Sequence, residues 1–257
     1  MRLIDLNADM GEGYGPWSIG DDDALLEVVT SASIACGLHA GDPDVMDRTM
    51  RAAQARGIGI GAHPGFADLQ GFGRRRMALP DASLVNLIRY QLGAAAAMAR
   101  GVGSRLQHAK LHGALSNMAC EDADFARTCL GAIRSFDPGL MVLVLPGTPL
   151  AAAAEALGQP VANEIFADRA YNDDGTLLER SQPDAVIHDP GAAAEAMATM
   201  LREGAIVSAS GRRLSCRIDT ICVHGDTPES LAIARAVRTR LQADGHRIAP
   251  LREITAG

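Results

Sequence analysis

The sequence predicts an α/β fold, a (β/α) barrel of seven or eight parallel strands in a single domain spanning residues 1–257. Short apolar, β-branched runs alternate with longer segments of 3.6-residue periodicity along the whole chain. Seven or eight such units in 257 residues fit a closed barrel better than an open doubly wound sheet. Nearly every expected strand also ends in polar, glycine-rich sequence, at the carboxyl end where both architectures build their sites.

Leu3-Ile4-Asp5-Leu6-Asn7 reads as the first strand, followed by a helix from Asp21 to Ala32 with Leu25, Leu26, Val28 and Val29 on its buried side. Ser33 to Cys36 is a short strand. The next helix opens at Asp42-Pro43, an Asp N-cap with Pro in the first turn, and stops at Gly57. Ile58 to Ala62 is a strand, and Pro80-Asp81 opens a long helix to Gly101. Leu106 to Leu111 is the fourth strand, followed by a helix from Glu121 to Ser135, the strand Met141 to Leu145 and an alanine-rich helix from Thr148 to Leu157. Val161 to Phe166 is a strand that leads into a long polar loop. Asp189-Pro190 starts a helix ending near Gly204; Ala205 to Ser208 and Leu214 to Ile218 form a hairpin; Ile221 to His224 is the last strand; and Thr227-Pro228 caps a helix to Gly245.

A net charge of −7 argues against a nucleic-acid partner, and Arg74-Arg75-Arg76 reads as a loop or a local anion contact. With 47% apolar residues, no run of eighteen of them and no basic-then-apolar leader, the expectation is a protein without membrane contact, in the cytoplasm. Cys36, Cys120, Cys129, Cys216 and Cys222 form no C-x-x-C pair and are odd in number, as expected of reduced thiols, most of them small core residues. Oligomeric state is left open, a homo-oligomer included. Among 24 basic residues Lys110 is the single lysine, and it lies between His108 and His112. In a chain that uses arginine everywhere else, it marks a place where a planar guanidinium does not serve.

Strand parity gathers the chemistry. Asp5, Asn7 and Asp9 share one face of the first strand, and His108, Lys110 and His112 share one face of the fourth. His39, His63, His112 and His224 all fall at expected strand ends. The candidates for catalysis are therefore Asp9, Lys110 and His112, with His112 as acid or base near neutral pH. Asn7, Glu12, Glu164, Arg169, His224 and Asp226 are candidates for binding substrate, Arg169 as a carboxylate clamp oriented by Glu164 and Asp168. Asp9, His39 and His63 offer two nitrogens and a carboxylate to a divalent metal, or the histidines are buried and satisfied. Asp42 reads as a helix cap, and His188 and His246 as structural. No phosphate loop, dinucleotide fingerprint or Gly-x-Ser-x-Gly elbow is present.

Several blocks are familiar: Asp5-Leu6-Asn7-Ala8-Asp9-Met10-Gly11-Glu12-Gly13, Ile34 to Asp42, Gly61-Ala62-His63-Pro64-Gly65-Phe66, Phe72-Gly73-Arg74, Lys110 to Leu115, Phe166 to Tyr171, Asp174 to Leu177 and Cys222 to Thr227. In this order, over about residues 3 to 245, they resemble the LamB/YcsF family of 5-oxoprolinase A subunits. The chain departs from the family at Leu111, where proline is usual, and at Ser116, where tyrosine is usual. The resemblance implies a barrel of the glycoside hydrolase and deacetylase type. It also implies a hydrolase reaction in which 5-oxoproline, ATP and two waters give glutamate, ADP and phosphate, with two partner subunits, B and C. ATP would be a co-substrate handled with those partners, since this chain lacks a nucleotide motif. Two alternatives stay open: a stand-alone metal-dependent amidohydrolase or deacetylase, and a non-catalytic subunit that binds the lactam.

Overall fold

β1 (Leu3–Met10) carries both faces of the architecture. Ile4, Leu6, Ala8 and Met10 are buried on one side, and Asp5, Asn7 and Asp9 are buried on the other. A strand covered on both faces is what a parallel sheet wrapped in helices requires. In the computed structural model, which describes residues 2–254, this strand is followed by α1 (Asp22–Leu26), β2 (Ser31–Ala35), α2 (Pro43–Ala55), β3 (Gly59–His63) and α3 (Asp81–Gly101). Next come β4 (His108–Ala109), α4 (Gly113–Glu121), α5 (Ala123–Phe136), β5 (Met141–Val144), α6 (Pro149–Leu157) and β6 (Val161–Phe166). The chain ends with α7 (Pro190–Glu203), β7 (Ala205–Val207), β8 (Arg213–Ser215), β9 (Thr220–Val223), α8 (Ser230–Ala243), β10 (Arg247–Ile248) and α9 (Leu251–Ile254). Met1 and residues 255–257, the ends of the expected domain, lie outside the described residues.

β1 to β6 pair in sequence order, β6 pairs with β9 and β9 pairs back with β1, all in parallel, so seven strands close a barrel. β10 adds to the start of β1, with Leu3 opposite Arg247, and β7 and β8 form a separate antiparallel ribbon, the expected hairpin. Among the described residues no helix is long and apolar enough to cross a membrane.

The strongly patterned elements lie where the sequence puts them. Asp42 caps α2 through Oδ1, which accepts from the amides of Asp44 and Val45 at 2.8 and 2.9 Å. Four expectations need correction. The helix expected from Asp21 to Ala32 stops at Leu26, because Thr30 is drawn into the barrel: its hydroxyl donates to Asp5 at 2.7 Å and accepts from the Leu6 amide at 3.0 Å. The fourth strand is assigned to His108 and Ala109 alone, although the amides of Gln107, Lys110 and His112 still donate to Ile60, Ala62 and Pro64 at 2.8 to 2.9 Å. The helix expected from Glu121 begins at Ala123 with Asp122 as its cap, and an unforeseen helix, α4, precedes it. The last helix starts at Ser230, whose hydroxyl lies 2.9 Å from that of Thr227, rather than on a Thr227 cap.

Candidate active site

The barrel interior is polar from floor to mouth. At the floor, Asp5 accepts from Thr30, Ser31 and Thr220 at 2.6 to 2.7 Å, and burial pushes its carboxyl up to about 6. One turn of the pleat higher, Asn7 donates to Glu164 at 2.9 Å and to Thr220 at 2.8 Å. His108 faces the Ser33 hydroxyl at 3.1 Å, and burial presses its pKa down to about 3, so it is a neutral wall residue. Gly61 is required beside it, because a Cβ there would stand 2.0 Å from His108 Nε2.

Above this layer sits Lys110. Its ammonium lies 2.8 Å from Asp9, 3.0 Å from Glu164, 3.4 Å from Asn7 Oδ1 and 2.9 Å from the Cys222 sulfur. Burial opposes charge on Lys110, but the carboxylates of Asp9 and Glu164 outweigh it and hold the ammonium well above its ordinary range. Burial would likewise raise Asp9; His63 and Lys110 overcome it and keep the carboxylate well below the usual value. A compact cation thus fills a socket between two buried carboxylates. Cys222 is fully buried, as expected of most of the cysteines, and it also faces this lysine; its parity with Thr220 and His224 along β9 was the available signal. Burial keeps its thiol protonated despite the lysine beside it.

His224 stands at the mouth, its Nδ1 at 2.8 and 2.9 Å from the two oxygens of Asp168. A carboxylate only accepts, so Nδ1 carries a proton, and Nε2 faces Asp9 Oδ2, 4.0 Å away. Burial would raise the Asp168 carboxyl, and His224 overrides this and lowers it. Glu164 and Asp168 therefore do not orient Arg169, as the sequence suggested, since Lys110 and His224 claim them. The Arg169 guanidinium instead donates to the carbonyls of Ala185, at 3.3 Å, and Leu178, clipping together the loop that follows β6.

On the other side of Asp9, three histidines pack together. His39 and His112 stack with ring centroids 3.8 Å apart, and His63 stands edge-on to both. Gly73, at φ +65°, makes this possible, because a Cβ there would come within 2.7 Å of His39 Cβ. Their protons can be placed. His63 Nδ1 donates to the Lys110 carbonyl at 2.8 Å, and His112 Nε2 donates to the Phe72 carbonyl at 2.8 Å. The two remaining nitrogens, His63 Nε2 and His112 Nδ1, face each other at 2.9 Å, and His63 Nε2 also lies 3.4 Å from Asp9 Oδ2. Such a contact calls for a positive charge between the rings, a proton or a metal ion. Burial, then His39, holds His112 well below its normal range, which disfavours an extra proton on that ring. Burial, then His63, does the same to His39, both of whose buried nitrogens are without a hydrogen-bond partner among the described residues. Glu12 lies 3.8 Å from His39 and 3.9 Å from His112. Ligand atoms of Glu12, His39, His63 and His112 fall within 4.8 Å of one another, a donor set suited to a divalent metal. Of the expected trio of Asp9, His39 and His63, Asp9 stays 3.4 Å from His63, Glu12 and His112 join the histidines, and Asp9 also groups with Cys222 and His224.

A pocket of about 300 Å³ opens over these groups, and Asp9, His63, Lys110, His112, Glu164, Arg169 and His224 all reach its wall. Asn7, Glu12 and His39 are buried and do not line it. Asp226 is held at 2.6 Å by Arg74, while Arg75 pairs with Asp68 and Arg76 with Glu121, so the basic triplet is a loop of local ion pairs. His188 is exposed, 3.7 Å from Glu229, and His246 lies outside the site.

The family model of the LamB/YcsF family matches residues 4–256. A protein of Ruegeria pomeroyi, named as the A subunit of 5-oxoprolinase, is 57% identical over 245 residues, 95% of this chain and 97% of that protein. The crystal structure of a lactam utilization protein from Thermus thermophilus superposes with a TM-score of 0.90 at 42% identity, covering 97% of this chain and 99% of that one. The catalytic domain of a peptidoglycan N-acetylglucosamine deacetylase from Eubacterium rectale superposes with a TM-score of 0.50 at 11% identity, covering 97% and 88%, a likeness of fold alone. With its seven-stranded barrel and the match along nearly its whole length, the chain belongs to the LamB/YcsF family.

Proposed function

We propose that this chain is the A subunit of an ATP-dependent 5-oxoprolinase, a cytoplasmic hydrolase that opens 5-oxo-L-proline to L-glutamate together with partner subunits B and C. The observation that carries the proposal is identity of 50 to 57%, over at least 95% of this chain, to proteins named as 5-oxoprolinase A subunits. We take residues 1–257 as one barrel domain in that complex.

The pocket suits the chemistry. A lactam amide is unreactive, and phosphorylation of its oxygen by ATP, a step we assign to the partner subunits, converts that oxygen into a leaving group. His224, with Nδ1 anchored on Asp168, is the base for the first water, and its protonated ring then delivers the proton to the departing ring nitrogen. Cleavage of that C–N bond leaves an acyl phosphate, which the second water hydrolyses. Lys110 supplies fixed positive charge beside the phosphorylated oxygen of the tetrahedral adduct, and Asp9 with Glu164 keeps it charged and in place. Glu12, His39, His63 and His112 would hold a divalent metal beside this centre, where it would act as a Lewis acid.

The test is reconstitution. Glutamate and ADP should form together from 5-oxoproline and ATP when this chain is combined with B and C, whereas the chain alone should release no glutamate. Robust ATP-dependent turnover by the isolated chain would overturn the division of labour. The histidine cluster supports a second reading, a stand-alone metal-dependent amidohydrolase. Metal-dependent amide hydrolysis by the isolated chain, without ATP, would favour it.

A further inference from the structure

The long loop after β6 returns across the pocket, and Thr176, Leu178, Arg180 and Ser181 from it line the wall. Arg169 fixes this loop through the carbonyls of Leu178 and Ala185. Arg180 is thereby held half-buried against the cavity, with no hydrogen-bond partner among the described residues. Among the described residues it is the only arginine shielded from full exposure that has no hydrogen-bond or ion-pair partner. Every other cation of the pocket is engaged: Arg74 with Asp226, Arg76 with Glu121, Lys110 with Asp9 and Glu164, and Arg169 with carbonyl oxygens. Burial, followed by repulsion from Arg74, works against the charge on Arg180 and outweighs the pull of Asp226 and Asp168. A guanidinium kept in such a position gains only when an anion arrives, and its planar fork matches a carboxylate through two parallel hydrogen bonds.

We propose that Arg180 binds the carboxylate of the lactam substrate, the role the sequence suggested for Arg169, and that Arg169 is its positioning residue. This inference rests on the 5-oxoproline reading. A carboxylate anchored on the loop side orients the lactam ring with its amide toward Lys110 and His224 across the same cavity. The same fork would also suit a phosphoryl group, and the experiment separates the two.

In the reconstituted complex, Arg180→Met should raise KM for 5-oxoproline by about 10- to 100-fold, the scale of a lost charge-assisted hydrogen bond, with a smaller fall in kcat. KM for ATP should stay within about twofold of the wild type. Arg180→Lys should recover part of the affinity, because it keeps the charge without the fork. The melting temperature of Arg180→Met should not fall, since no internal partner is lost, so a weak KM cannot be blamed on misfolding. An unchanged KM for 5-oxoproline in a complex whose wild type is active would overturn the role of Arg180 and leave the proposed function standing. A rise confined to ATP would overturn it in favour of a phosphoryl ligand. A wild-type complex that does not consume 5-oxoproline would overturn both.

Discussion

Replacing Lys110 by methionine keeps most of the side-chain volume and removes the cation from a socket that holds it 2.8 Å from Asp9 and 3.0 Å from Glu164. Both carboxylates are buried, so neither can recover its charge partner from water. Breaking a buried ion pair from one side costs about 3–5 kcal/mol. For a domain of this size each kcal/mol lowers the melting temperature by about 2–4 °C, which gives a fall of roughly 6–20 °C. Lys110→Arg keeps the charge and overfills a socket already closed by Asn7 and Cys222, at about 1–3 kcal/mol, so it should melt between the two. Adding Asp9→Asn and Glu164→Gln to the methionine variant should recover much of the loss, because no stranded charge then remains. The assay is thermal unfolding by circular dichroism, and amine labelling adds a second readout, since Lys110 is the only lysine in the chain. It should react with an amine-selective reagent only on unfolding. A methionine variant that melts within about 2 °C of wild type would refute the socket argument.

Further outcomes follow from the same geometry. Asp168→Asn should leave folding largely intact and lower glutamate formation by the complex about 100-fold or more, because the amide removes the negative charge beside His224 and can present an N–H to Nδ1, favouring the wrong tautomer; parallel effects of His224→Asn, with little added in the double variant, would identify one unit. Burial raises the Asp5 carboxyl to about 6 in the folded protein. Between the unfolded value near 3.8 and that value the folded state binds more protons, so this group's contribution to stability falls as pH rises, by about 3 kcal/mol in all. Denaturant titrations at pH 4 and pH 7 should show most of that difference, about 2 to 2.5 kcal/mol, between wild type and Asp5→Asn. Gly73→Ala places a Cβ against His39 in left-handed backbone and should cost about 1–3 kcal/mol, read as a lower denaturation midpoint. The purified chain should take up one equivalent of cobalt(II) with a visible-band change that His39→Ala and His112→Ala abolish and chelator removes; no binding in the wild type would dismiss the metal site.

Where a repeat of two governs the chain, the sequence was transparent. Asp5, Asn7 and Asp9 face inward because Ile4, Leu6 and Ala8 must face the helices, and parity likewise put His108, Lys110 and His112 on the inner face. α2 and α3 were legible from Asp42-Pro43 and Pro80-Asp81. Val28 and Val29 suit helix and strand alike, so nothing in the pattern announced that α1 ends at Leu26. α4 opens at Gly113 with no side-chain cap, and its start reads as a loop. The pairings inside the site were the least visible. His224 with Asp168, the stack of His39 on His112, and the loop carbonyls that occupy Arg169 join segments far apart in sequence, and only closure of the barrel brings them together.

Asp9→Asn in the reconstituted complex tests most directly whether the chemistry resides in this pocket. The amide nearly preserves the shape of the carboxylate, and Lys110 keeps Glu164 as its partner, so the fold should survive and the melting temperature should stay within a few degrees. With 5-oxoproline and ATP supplied, glutamate formation should fall about 100-fold or more, the scale of a lost acid-base or electrostatic group. Glutamate formed at the wild-type rate by a folded Asp9→Asn complex would place the ring-opening step elsewhere.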